Sequence, residues 1–261
     1  MKLCRFKHQS SAAPRYGIIE DDYVRPLIDD DIFSGHSRTS SDKIPAAEIR
    51  LLAPVSPSKI VCVGRNYREH AAELGNAMPT EPLLFLKAPS AIIGTDEIIK
   101  LPPESVQVEH EGELGVVIGR PASRLTESDD PFKYILGYTC VNDVTARDLQ
   151  RKDVQFTRAK SYDTFCPTGP FIVTDLHKES VLVTARVNGE KKQQASTSTM
   201  AFSIPYLIRY ISRAMTLNPG DLIATGTPAG VSRLNNGDIV EIEIERIGIL
   251  RNEVRRLEPE I

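Results

Sequence analysis

The sequence predicts a mainly β fold with α decoration, an α+β protein with a small N-terminal β domain over residues 1–56 and a larger domain over 57–261. Three observations carry this prediction. Short apolar runs closed by turn residues recur along the chain, whereas only two segments show helical periodicity. Asn188-Gly189 stands between two extended segments, the strongest short hairpin signal. Prolines and serines at 54–58 separate the first strands from the rest.

The elements follow in order. Residues 16–20 and 23–27 flank the acidic turn Asp21-Asp22, and the polar stretch 34–43, rich in Ser and Asp, reads as a surface loop. Residues 60–63 form an apolar run closed by Gly64, and 114–118 a second closed by Gly119, the pattern of buried strands. Further strands are expected at 134–141, 171–173, 181–187, 222–224 and 239–244. The last lies in an alternating stretch, 238–245, with one wet face. A helix is expected over 66–74, stopped by Gly75. A second, over 203–215, has Ser203 at its N-cap, Pro205 in its first turn and an apolar face of residues 204, 207, 208, 211 and 215.

Composition excludes several classes. A net charge of −3, without a concentrated basic face, gives no reason to expect nucleic acid. Cys4, Cys62, Cys140 and Cys166 are scattered without a Cys-x-x-Cys pair, which fits a reducing compartment rather than a zinc knuckle or disulfide framework. No stretch is apolar enough for a membrane span and no secretory signal opens the chain, so a cytoplasmic location is expected. No Gly-x-Gly-x-x-Gly or Gly-Lys-Thr motif suggests a nucleotide cofactor.

The densest chemical signal is Glu109-His110-Glu111-Gly112-Glu113, leading into a strand. Alternation sends residues 109, 111 and 113 one way and His110 the other. Clustered carboxylates repel unless something positive lies between them, and Mg²⁺, Mn²⁺ or Ca²⁺ would serve. Spacing alone leaves an acidic strand end facing solvent equally open. Asp143 stands where the next apolar strand runs out, with Arg147 and Gln150 at +4 and +7, so a helical turn would align the three on one face. Asp148 reads as a surface charge. His70 and Glu73 are three apart in the first expected helix; a carboxylate beside an imidazole suits a general base, but the motif is weak and by itself reads first as a surface pair. Lys160 could bind an anionic substrate or stabilise an enolate, and the 225–230 junction could cradle a carboxylate with its free amides and hydroxyls.

Six segments, in order, resemble the fumarylacetoacetate hydrolase family: GRNYREHAAE at 64–73, EPLLFLK at 81–87, EGELGVVIG at 111–119, GYTCVNDVTARDLQ at 137–150, KSYDTFCPTGP at 160–170 and TGTPAGV at 225–231. The resemblance spans roughly 59–250. It implies a mixed β-sandwich roll carrying a small N-terminal β domain, with 57–261 as the catalytic domain, and usually a homodimer. It implies Mg²⁺ or Mn²⁺ on Glu111, Glu113 and Asp143, with Ca²⁺ chemically admissible. Lys160, Arg147, Gln150 and Thr227 match positions that contact a small-molecule 2-oxo acid substrate, and His70 and Glu73 match a water-activating dyad on a lid helix. Glu109 is a third acid where the family pattern is looser. The segment 194–200 departs from that pattern at a place expected to border the substrate's far end.

The function so implied is a metal-dependent hydrolase or lyase that cleaves a C–C bond beside a carbonyl in 3-acylpyruvate or oxaloacetate-like acids through a stabilised enolate. An isomerase or tautomerase of 2-hydroxy-dienedioates or oxaloacetate is the alternative on the same scaffold. A catalytically silent metabolite-binding protein is the alternative of another class, and the filled set of site positions argues against it.

Overall fold

The computed structural model describes residues 1–9, 13–29, 31–34, 38–176 and 180–258. Its apolar runs assemble into two large sheets. The larger, of 12 strands, runs Ile44–Pro45, Tyr23–Pro26, Arg15–Glu20, Lys2–His8, Cys166–Val173, Ile135–Asn142, Gly112–Ile118, Leu222–Ala224, Ile60–Gly64 and Leu83–Lys87. Ile49–Leu52 lies beside Lys2–His8, and Ile92–Ile93 beside Cys166–Val173. The smaller sheet runs Glu190–Ser196, Leu182–Val187, Ile239–Ile244, Gly248–Arg256 and Ile98–Leu101. Val108–Glu109 and Thr145–Ala146 form a separate two-stranded ribbon.

The central strand Gly112–Ile118 is buried at all seven residues, which is why its sequence is continuously apolar beyond Glu113. It pairs antiparallel with Ile135–Asn142 and with Leu222–Ala224. One face meets the smaller sheet: a Cβ added at Gly112 would lie 3.1 Å from Ile242 and 3.3 Å from Ala185. In that sheet the predicted alternation holds, with Val240, Ile242 and Ile244 buried and the residues between half-buried. The Asn188-Gly189 hairpin is present, with φ of 52° and 80°, the left-handed pair its tight turn requires.

The N-terminal strands continue the larger sheet, because Lys2 and Leu3 pair with Val173 and Ile172. Cys4, Phe6 and Val24 form a small apolar cluster of their own there. The expected loop at 34–43 falls partly outside the described residues; those described are exposed or half-buried. All four cysteines are buried and free.

Four α-helices occur among the described residues: α1 (Arg68–Glu73), α2 (Arg147–Lys152), α3 (Thr157–Ser161) and α4 (Ile204–Ala214). In α4, Leu207, Ile208 and Ile211 are buried as the periodicity requires, while Ser203 sits at the N-cap without a side-chain capping bond. None of the helices described is long and apolar enough to cross a membrane.

Candidate active site

The site is built where two neighbouring strands end. Gly112–Ile118 carries Glu113, and Glu111 immediately precedes it. Its partner Ile135–Asn142 ends at Asn142, and Asp143 follows. Two bonds fix the ends together: the Asn142 Oδ1 accepts from the Glu111 amide at 3.0 Å, and the Asp143 amide donates to the Glu111 carbonyl at 2.8 Å. In consequence one carboxylate oxygen each of Glu111, Glu113 and Asp143 lies within 4.8 Å of the others. All three are buried, at 4%, 2% and 1% exposure, so the solvent-facing strand end left open by spacing does not occur.

Three buried cations surround the acids. Lys160 Nζ donates to Glu111 at 2.7 Å and to Asp143 at 2.8 Å. Lys87 Nζ donates to the other Asp143 oxygen at 2.6 Å and to the Val144 carbonyl at 3.1 Å. Arg147 donates through Nη2 to Glu111, through Nε to Glu109 at 2.8 Å, and through Nη1 to Gln150 Oε1 at 2.6 Å. Lys87 was absent from the sequence-based set of site residues. Its signal was a lysine ending the apolar run LLFLK, a position that a buried strand tolerates only if the ammonium finds an acid.

Charge is distributed unevenly. Burial would raise the Glu111 carboxyl, but Lys160 and Arg147 outweigh it and hold it well below the usual range. Among the described residues, Glu113 has no cationic partner and accepts only the Gly226 amide, at 2.8 Å. Burial first, then repulsion from Asp143 and Glu111, pushes it well above the usual range. Burial works against the Lys160 ammonium, yet Asp143 and Glu111 keep its pKa above the ordinary value, so it acts as a fixed positive charge rather than a base. Three hard oxygen donors, one of them without a cationic partner among the described residues, make a buried acidic triad that could hold a metal ion.

A cavity of about 290 Å³ opens over the triad. His70, Arg147, Gln150, Lys160 and Thr227 line it, together with the apolar side chains of Leu74, Leu83, Phe85 and Phe156. His70 is 4% exposed on α1, and its Nδ1 lies 3.3 Å from Glu73 Oε2. The other Glu73 oxygen accepts from the Gly230 amide at 2.9 Å.

Several sequence expectations change. Asp143 does not share a helical face with Arg147 and Gln150: the intervening Thr145–Ala146 is extended against Val108–Glu109, and α2 begins only at Arg147. Asp143 instead arrives from its strand end. Two amides of the 225–230 junction, those of Gly226 and Gly230, donate to the protein's own acids Glu113 and Glu73, and the Thr225 amide donates to the Leu114 carbonyl, while Thr227 Oγ1 donates to the Gly112 carbonyl at 2.9 Å. Asp148 is not a free surface charge, since it accepts from Ser105 Oγ at 2.6 Å and the Val106 amide at 3.0 Å. Glu109 stands behind Arg147 and is absent from the cavity lining. His110 is turned away and buried, with Nε2 2.8 Å from Ser232 Oγ. Thr197 and Met200 line a second cavity, of about 180 Å³, rather than this one.

Comparison with known proteins finds relatives over most of this chain. Oxaloacetate tautomerase YisK of Bacillus subtilis is 45% identical over 226 residues, covering 80% of this chain and 74% of that protein. The crystal structure of 5-carboxymethyl-2-hydroxymuconate delta-isomerase from Mycobacterium smegmatis superposes with a TM-score of 0.90 at 42% identity, over 98% of this chain and 100% of that one. That of 2-hydroxyhepta-2,4-diene-1,7-dioate isomerase from Mycobacterium marinum gives 0.89 at 42% identity, over 99% and 100%. The Rv2993c-like N-terminal family matches residues 1–54, and the fumarylacetoacetate (FAA) hydrolase C-terminal family matches residues 59–255. This chain therefore belongs to the fumarylacetoacetate hydrolase family of enzymes.

Proposed function

We propose that this enzyme interconverts the keto and enol forms of a small 2-oxo dicarboxylic acid such as oxaloacetate, with Mg²⁺ or Mn²⁺ held by Glu111, Glu113 and Asp143. One observation carries the reading: a single small cavity joins the acidic triad, two fixed cations and a carboxylate-backed histidine. The names of the tautomerase relative and of the isomerase neighbours support it.

A divalent cation on the triad would supply Lewis-acid stabilisation of the negative charge that an enolate carries. Arg147, fixed between Glu109 and Glu111, presents its guanidinium to a substrate carboxylate, and Gln150 braces it. Lys160 keeps its charge beside the developing oxyanion. Glu73 occupies His70 Nδ1, which leaves Nε2 to give or take the proton at C3. Enol-to-keto conversion then moves one proton from the 2-hydroxyl to C3 and breaks no C–C bond.

A second reading is cleavage of a 3-acylpyruvate, or decarboxylation of oxaloacetate, through the same enolate. The His70–Glu73 pair favours it, because the same base can deprotonate a water. The experiment follows loss of enol absorbance and formation of pyruvate in parallel, with Mg²⁺ or Mn²⁺, in wild type, His70→Ala and Glu111→Ala. Tautomerisation predicts fast enol loss without matching pyruvate, a fall of about 10²–10⁴ in rate for His70→Ala, and no catalysis by Glu111→Ala. Pyruvate appearing in step with enol loss would replace the first reading by the second. Equal rates for wild type and Glu111→Ala would sink both.

A further inference from the structure

We propose that Arg65 selects dicarboxylic substrates, its guanidinium binding the far carboxylate of a 2-oxo diacid held in the cavity; this rests on the 2-oxo acid reading above. Arg65 lines the cavity, and among the described residues it makes no side-chain hydrogen bond or ion pair. The other cations there already have protein partners, and in the reading above Arg147 and Lys160 serve the near, 2-oxo acid end of the substrate. Arg147 is held by Glu109, Glu111 and Gln150, and Lys160 by Glu111 and Asp143. Arg151 donates to Gln107 on the exposed side of α2. A partnerless guanidinium at the wall of a small cavity is a receptor for an anion.

The backbone beneath it is built for the purpose. Arg65 sits at φ 56°, a left-handed conformation that a long side chain rarely adopts. It is held there by its neighbour Asn66, which is fully buried. Asn66 Nδ2 donates to the Thr225 carbonyl at 2.7 Å and the Phe202 carbonyl at 3.1 Å, and its Oδ1 accepts from the Phe202 amide at 2.7 Å. Such enforced geometry concentrates where a side chain must be aimed. Arg65 is thus presented by a rigid corner rather than by a mobile loop.

Charge gives the same answer. Glu109, Glu111, Glu113 and Asp143 are met by Lys87, Lys160 and Arg147, one cation short. A divalent ion on the triad turns that deficit into a single positive charge, enough for one substrate carboxylate. A second carboxylate needs a further cation, and Arg65 supplies it. Arg65 and the triad line the same cavity, of about 290 Å³.

The test is calorimetric binding with Mn²⁺ present, comparing 2-oxoglutarate with 2-oxopentanoate, its monocarboxylic counterpart of equal chain length. The proteins are wild type, Arg65→Lys and Arg65→Asn; asparagine tolerates positive φ, so the second variant keeps the corner folded. We expect wild type to prefer the diacid, Arg65→Asn to lose about tenfold to a hundredfold in affinity for the diacid only, and Arg65→Lys to retain part of the preference. A wild type without preference, a preference unchanged in Arg65→Asn, or equal losses for both acids would each overturn the proposal. Because binding is read directly, a protein that shows this pattern without speeding keto–enol exchange would refute the proposed reaction while leaving the role of Arg65 standing.

Discussion

Replacing Glu113 by glutamine should stabilise the metal-free protein and abolish its response to metal. Glu113 is 2% exposed and lacks a cationic partner, while Glu111 and Asp143 place carboxylate oxygens within 4.8 Å of its own. At an effective dielectric constant of about 20, two like charges at that distance repel by roughly 3.5 kcal/mol. Attraction to Lys160 relieves some of this, so a net gain of about 1–3 kcal/mol is expected on neutralisation. The glutamine carbonyl oxygen can still accept the Gly226 amide. For a chain of this size each kcal/mol moves the melting temperature by about 2–4 °C. In chelator, Glu113→Gln should therefore melt several degrees above wild type. On titration with Mn²⁺ the wild type should rise, by about 2.7 kcal/mol at a hundredfold excess over Kd, while the variant stays flat, so the two curves cross. The assay is thermal unfolding by circular dichroism over a metal series. A variant that melts below wild type in chelator, or rises with Mn²⁺ as far as wild type does, would refute the argument that these acids are arranged around a cation.

Three further outcomes follow from contacts described above or nearby. Lys87→Met should cost about 3 kcal/mol in chelator, by breaking a buried pair with Asp143, and less with Mn²⁺ bound; urea midpoints in both conditions check it. Asp221→Asn should destabilise at neutral pH, since the buried carboxylate accepts from the Ser58 hydroxyl, the amides of Ser58, Lys59 and Asn218, and the Lys59 ammonium. Burial raises the Asp221 pKa, but these donors lower it overall; a depressed native pKa stabilises above the unfolded value of about 3.9. The deficit of the variant should thus be constant from neutral pH to about 5 and shrink as acid protonates wild-type Asp221, as urea unfolding across pH will show. Gly230→Ala should lose at least about 1 kcal/mol, because φ is +101° and the new Cβ would lie 2.0 Å from the Lys192 carbonyl. It should also lower kcat by displacing the amide that holds Glu73, with the metal-induced shift in melting temperature retained.

The parts of the fold that could be read from sequence are those where one local rule dominates. Residues 60–63 and 114–118 are buried on both faces and read as unbroken apolar runs, and 239–244 alternates because only one face is covered. Gly248–Arg256 and Glu190–Ser196 were not foreseen. Apart from Ile249, their exposed residues are charged or polar, and strand pairing rather than composition holds them extended. The site shows the same division. The acids at 111, 113 and 143 were visible, but their convergence depends on the pairing of Gly112 with Asn142, a contact 30 residues apart in sequence. Spacing suggested a helical turn carrying Asp143, Arg147 and Gln150, because it could not register that Thr145–Ala146 pairs with Val108–Glu109. Lys87 and Arg65 were hidden for a related reason: each is an ordinary cation in sequence, defined only by what surrounds it or fails to.

The 225–230 junction has a bearing on how this enzyme could be redesigned. Its Gly226 amide grips Glu113, its Gly230 amide grips Glu73, and Gln193 braces the span through Thr227 Oγ1 at 2.8 Å and the Pro228 carbonyl at 2.6 Å. The proposed metal ligands and the proposed proton-transfer pair therefore share one piece of scaffolding, each held by a different amide of it. Libraries aimed at new substrates should leave this loop intact and vary apolar lining residues outside it and outside α1, such as Leu83 and Phe156.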